Sequence, residues 1–102
     1  MNIYIIGNSM SKVQSEELAM LCDLFDHKAR TYYTPNSLRN EFEHVDSANF
    51  VVVFEVSAEA GVLIGYARAR GIHIIGATDQ AVLIPDIEMC KSVAAIFAKV
   101  GK

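Results

Sequence analysis

The residues that decide the fold are Phe50-Val51-Val52-Val53-Phe54-Glu55-Val56-Ser57-Ala58-Glu59-Ala60-Gly61-Val62-Leu63-Ile64-Gly65-Tyr66-Ala67-Arg68-Ala69-Arg70-Gly71-Ile72-His73-Ile74-Ile75. Two short apolar runs rich in β-branched residues flank a helix-length segment, which predicts a strand–helix–strand unit. Ser57 suits the helix N-cap, where its hydroxyl can accept an orphan amide. Glu59 falls in the first turn and Arg68 and Arg70 in the last, each on the side the helix dipole favours. Gly71 suits the left-handed residue that ends a helix. From Ala60 to Ala67 the segment is apolar on nearly every side, so the helix must be covered on more than one face. Gly61 and Gly65, one turn apart, permit close backbone approach.

The stretch from Gly61 to Ile75, and Ile64-Gly65-Tyr66-Ala67 within it, resembles the nucleoside 2-deoxyribosyltransferase family. Asp46 and Ala48 match a step that often precedes the third strand there, with Asn49 replacing a second acid. The resemblance implies a three-layer, flavodoxin-like α/β domain with strand order 2-1-3-4. At the chemistry the sequence departs from the family. Leu63 stands at the nucleophilic glutamate, Ser57 at an aspartate, Glu59 at a glycine and Ala60 at a threonine. The resemblance therefore implies the fold with a degenerate active site, and Tyr66 belongs to its helix motif.

The remaining chain extends this pattern outward. Asn2 to Ile6 is expected as the first strand. Ser11-x-x-Gln14 has the pattern of a capping box for a helix from Lys12 to about Asp26. Ala29 to Tyr33 reads as the second strand. Thr34-Pro35-Asn36-Ser37 reads as a turn into a short helix reaching about His44, with Leu38 and Phe42 inward. Phe50 to Val56 is the third strand and Ile72 to Gly76 the fourth. Residues 81–84, Ala-Val-Leu-Ile, fit either a fifth strand or a packed loop. Pro85-Asp86 is expected to start the last helix, with Ile87, Cys90, Val93 or Ala94, and Phe97 on one face. Strands alternating with helices predict a parallel sheet in one domain, 1–102.

Bulk composition narrows the function classes. The chain has 102 residues, 52% of them hydrophobic, and a net charge of −3. A chain this short buries a modest fraction of its surface, so oligomerisation would help it. Without a basic block, a nucleic-acid partner is not expected. No apolar run approaches the roughly 20 residues that span a bilayer. The first residues lack a basic region and a small-residue cleavage site, so they read as a strand and not a signal peptide. Cys22 and Cys90 lie in helical patterns with no CxxC, which fits two reduced core thiols in a cytoplasmic protein. No metal or cofactor is expected.

Ligands of open parallel sheets bind beyond the carboxyl ends of the strands, at the switch point between the first and third. That rule nominates Gly7, Asn8 and Ser9 after the first strand and Tyr33 and Thr34 after the second. It adds Glu55, Ser57 and Glu59 after the third strand, and Thr78 and Asp79 after the fourth. Gly7 would let a ligand approach the backbone, and the first amides of the helix after Ser57 could hold an anion. Leu63 makes the former catalytic position apolar. Gly7, Asn8, Ser9, Tyr33, Ser57, Leu63 and Asp79 are the candidate ligand-binding residues.

Three functions remain. The first is a nucleoside- or nucleotide-binding protein without transferase activity. The second is an N-glycosidase or transferase using a relocated carboxylate, Glu59 or Glu55, because a covalent mechanism needs such a nucleophile. Glu59 lies one turn before Leu63 and so points along a similar face. The third is an interaction or inhibitor module. The apolar helix Ala60 to Ala67 further predicts a homo-oligomer, most simply a dimer, with that helix at or near the interface.

Overall fold

A computed structural model of the protein describes residues 1–79, 84 and 87–100. β1 (Asn2–Asn8), β2 (Lys28–Thr34), β3 (Phe50–Val53), β4 (His73–Gly76) and β5 (Glu88–Met89) form one sheet in the order β2-β1-β3-β4-β5. Every pairing is parallel, with Ile3 opposite Ala29 and Phe50, and Phe50 opposite His73. α1 (Lys12–Leu24) and α4 (Val93–Val100) cover one face of the sheet, and α2 (Glu41–Asp46) and α3 (Ala58–Ala69) cover the other. This is the expected three-layer, flavodoxin-like architecture. No helix among the described residues is long and apolar enough to cross a membrane.

Both faces of the central strands are buried, which is why they read as unbroken apolar runs. Side chains alternate across β1: Ile3 and Ile5 pack with Leu18, Cys22 and Ile96, while Tyr4 and Ile6 pack with Val45, Leu63 and Ile64. In α3, Ala60, Leu63, Ile64 and Ala67 form the inner stripe. Its outer side stays open, for a Cβ added at Gly61 or Gly65 would meet nothing within 4 Å. Val62 beside them is 48% exposed. On the Tyr66 flank α2 supplies cover, with the Phe42 and Tyr66 rings 4.8 Å apart.

The caps of α3 follow the sequence. Ser57 Oγ accepts from Ala60 N at 3.2 Å. Gly71 adopts φ +71°, so Gly71 N and Ile72 N reach back to the carbonyls of Arg68 and Ala67 at 3.0 Å each.

Four local expectations need correction. Ser11 makes no side-chain cap on α1; it belongs to a 3₁₀ turn, Ser9–Ser11, in which Asn8 is the cap. Asn8 Oδ1 accepts from Met10 N and Ser11 N, and Ser11 Oγ accepts from Asn8 N at 3.0 Å. The reciprocal capping box therefore sits three residues earlier than Ser11-x-x-Gln14. Second, α4 starts at Val93, with Ser92 Oγ accepting from Ala95 N at 3.0 Å. Ile87 and Cys90 flank β5 instead of continuing the helix. Third, the described fifth strand is Glu88–Met89, whereas Ile84 is a bend and residues 81–83, 85 and 86 lie outside the described residues. The observed β3 also stops at Val53, short of Val56.

Candidate functional site

At the carboxyl edge of the sheet, a cleft of about 310 Å³ opens between the 3₁₀ turn, the start of α1 and the start of α4. Asn8, Ser11 and Gln14 line one wall, Thr78, Lys91 and Val93 the other. Phe54 and Glu55 project from the end of β3 between them. Among the described lining residues Glu55 is the only carboxylate. It is 9% exposed, so the carboxyl is held largely away from bulk water. The position is the switch point between β1 and β3, where chains leave the sheet edge in opposite directions.

Ser57 connects Glu55 to Glu59. Its Oγ lies 3.2 Å from Glu55 Oε2 and 3.4 Å from Glu59 Oε2. The hydroxyl carries one proton for these two acceptors while its oxygen caps Ala60 N. Two carboxylates of the chain itself thus stand beside the cap at the amino end of α3. Nearby, Tyr32 donates to Asn36 O at 2.6 Å. Burial pushes the Tyr32 phenol up, and the Glu59, Glu41 and Glu55 charges add to that while the Asn36 bond opposes it.

The other nominated residues divide by their places in the fold. Asn8 lines the cleft, and Ser9 follows it on the exposed turn. Gly7 is buried below that turn. An added Cβ there would lie 2.7 Å from Ser15 Oγ and 2.8 Å from Ser11 Oγ. The glycine admits the start of α1 to the sheet. Tyr33 faces α1, where burial and then the Glu16 carboxylate push its phenol up. It does not line the cleft. Leu63 is fully buried in the core between α3 and the sheet, so the position resembling a nucleophile site is packed among apolar side chains. Asp79 is exposed and holds Lys91 Nζ at 2.8 Å, which keeps the Asp79 carboxyl below its ordinary range.

The motif residues Asp46 and Tyr66 meet away from the cleft. Tyr66 donates to Asp46 Oδ2 at 2.8 Å, and Arg70 donates to the Tyr66 hydroxyl at 2.9 Å. They fasten α2 to α3 rather than touch the cleft.

Sequence reasoning missed Ser11, Gln14, Lys91 and Val93 as cleft residues. Ser11 and Gln14 carried a local signal that was spent on capping. Ser92, read as an N-cap, would have placed Lys91 and Val93 at the sheet's carboxyl edge. Among the described residues no group of His, Cys, Asp and Glu could hold a metal ion.

No protein-family model matches this chain, and no curated protein matches it closely enough to count as a relative.

Proposed function

We propose that the protein binds a small hydroxyl-bearing ligand of the nucleoside class in the cleft around Glu55, without deoxyribosyl transfer. The observation that carries this reading is a nearly buried carboxylate at the switch point, set among amide, hydroxyl and apolar groups, with the one lining ammonium, Lys91, held by Asp79. Glu55 can accept from sugar hydroxyls, because a carboxylate is acceptor-only when ionised. Asn8, Gln14 and Thr78 supply edges that a base can pair with, and Phe54, Met10 and Val93 supply apolar contact. The volume lies at the small end of ligand sites, which suits a nucleoside better than a dinucleotide. Glu55 and Glu59 at the amino end of α3 disfavour a phosphate there, so a nucleoside fits better than a nucleotide. A thermal-shift screen of nucleosides, nucleotides and NAD-derived compounds tests the proposal, since a ligand of the native state raises its apparent stability. Stabilisation by nucleosides that is lost in Glu55→Gln supports it; no shift with any nucleoside at millimolar concentration overturns it.

The shared Ser57 hydroxyl favours one second reading, an N-glycosidase with Glu55 at the substrate and Glu59 behind it. Hydrolysis of a nucleoside that stops in both Glu55→Gln and Glu59→Gln would select it. The third reading, an interaction module, gains from the filled core at Leu63.

A further inference from the structure

β2 is the outermost strand on its side of the sheet, and its pairing partner is β1. It runs for seven residues, Lys-Ala-Arg-Thr-Tyr-Tyr-Thr, whereas β5 on the opposite edge has two. Lys28 N donates to Met1 O at 2.8 Å, so the amide of Lys28 points toward β1. Orientation alternates along a strand. The amides and carbonyls of Ala29, Thr31 and Tyr33 therefore point away from the sheet. A long edge strand with outward backbone groups is a template for another strand.

We propose that this edge pairs with a second copy of itself, antiparallel and two-fold symmetric about Thr31, to make one sheet continuous through both subunits. The sequence of β2 suits this register. Pairing about Thr31 sets Thr31 against its copy and Ala29 against the partner's Tyr33. These are the residues whose backbone groups point outward, so they form the hydrogen-bonded pairs of the new ladder. On the other face, Arg30 meets the partner's Tyr32 and Lys28 meets the partner's Thr34. No charge faces a like charge. In a parallel, in-register pairing Lys28 and Arg30 would each face its own copy, which is unfavourable, chiefly for Lys28, since Glu41 partly balances Arg30. The two cations thus select one arrangement and disfavour open-ended stacking.

The neighbouring helix is also compatible. Phe25, after the end of α1, packs on Phe97 with ring centroids 5.1 Å apart, which marks the flank toward α4. By helical spacing, Lys12, Glu16, Ala19 and Asp23 lie on the opposite flank, over the β2 edge. A two-fold through Thr31 runs the two copies of α1 antiparallel. It brings Lys12 toward the partner's Asp23, an attractive pairing of opposite ends. The partner is therefore a second copy of this chain, joined through its backbone.

Sedimentation of the full chain across concentration, with amide exchange read residue by residue, tests the proposal. The expected result is a dimer in which Ala29, Thr31 and Tyr33 amides become protected as concentration rises. Lys28, Arg30 and Tyr32 amides should be protected at every concentration. Thr31→Lys sets two cations face to face at the two-fold and should raise the dimer dissociation constant about tenfold or more. Circular dichroism must show that this variant stays folded. Should it unfold, Thr31→Pro, which removes an outward amide at an edge, replaces it. A protein that is monomeric up to about 1 mM overturns the proposal, because so weak a contact carries less than about 4 kcal/mol. A dimer without the protection pattern at Ala29, Thr31 and Tyr33 also overturns it, as does a dimer split by Gly65→Leu and unaffected by Thr31→Lys.

Discussion

A Cβ placed on Gly7 would lie 2.7 Å from the hydroxyl oxygen of Ser15. The two residues set how closely α1 approaches β1, and so fix the wall of the cleft that Ser11 and Gln14 provide. Gly7→Ala should cost about 1–3 kcal/mol, the range for overpacking a well-filled site. Adding Ser15→Ala removes the nearest clashing atom and should recover part of that loss. Urea unfolding of the two variants checks this; equal stability of both would show that Ser11 alone sets the spacing.

The buried Glu41 carboxylate receives Tyr4 Oη at 2.6 Å and the Arg30 guanidinium at 2.8 and 3.2 Å. Burial works to raise its pKa, but the hydrogen bonds from Arg30 and Tyr4 outweigh it and hold the group below the ordinary 4.5. Burial and the neighbouring carboxylate push the Tyr4 phenol up, so Tyr4 remains a donor. A depressed carboxylate stabilises the fold above its unfolded pKa, and that contribution is lost as pH falls through the folded value. Stability should therefore decline below about pH 4.5, and Glu41→Gln should flatten this decline. Glu41→Ala strands the Tyr4 hydroxyl and should cost about 1–3 kcal/mol at pH 7. Denaturant midpoints across pH 3–7 measure both effects.

Loss of Glu55 should weaken nucleoside binding more than loss of any amide in the cleft. Bonds to a charged group contribute about 1.5–3 kcal/mol, so Glu55→Gln should reduce affinity by about tenfold to a hundredfold. Gln14→Ala should cost less, about tenfold or below. Titration calorimetry with the best nucleoside from the thermal-shift screen ranks them. Equal affinity in the wild type and Glu55→Gln would move the ligand out of this cleft.

Base exchange between a deoxynucleoside and a free base should be absent. Leu63 is closed into the core, and its neighbours Ala60, Ile64 and Ala67 are apolar. Chromatography of a long incubation checks this. Exchange that survives in both Glu55→Ala and Glu59→Ala would place the chemistry elsewhere.

Gly65→Leu adds a side chain into open space on α3. Leucine is a far better helix former than glycine, so the variant should be stabilised by about 0.5–1 kcal/mol. Its sedimentation should match the wild type. A variant that dissociates would identify the outer face of α3 as a contact between subunits.

The architecture was legible because each layer writes its own period into the sequence. The runs Phe50 to Phe54 and Ile72 to Ile75 are apolar at successive positions, as strands covered on both faces must be. The strand order came instead from the resemblance around Gly61 to Ile75. The last helix was misplaced because Ile87 and Cys90 continue the helical spacing of Val93 and Phe97 while pointing inward from an extended segment. Spacing alone cannot separate those cases. For the cleft, the switch-point rule reaches Asn8, Glu55 and Thr78 among its lining residues. It could not find Gln14 or Val93, whose place in the cleft depends on how two helices on one face of the sheet come together. The packing role of Gly7 is not legible either, because its neighbour Ser15 lies eight residues away in sequence and one helical layer away in space.

The capping role of Asn8 also gives the cleft a chemical direction. Its carbonyl oxygen is committed to the amides of Met10 and Ser11, which leaves the side-chain NH₂ as the group that can meet a ligand. Across the cleft, the Glu55 carboxyl offers lone pairs. One wall therefore gives hydrogen bonds and the floor takes them. A molecule with an acceptor at one end and hydroxyls at the other can satisfy both in one orientation, and its reversed pose sets acceptor against acceptor. Asn8→Asp would erase that polarity, because it puts a second set of lone pairs where the donor stood.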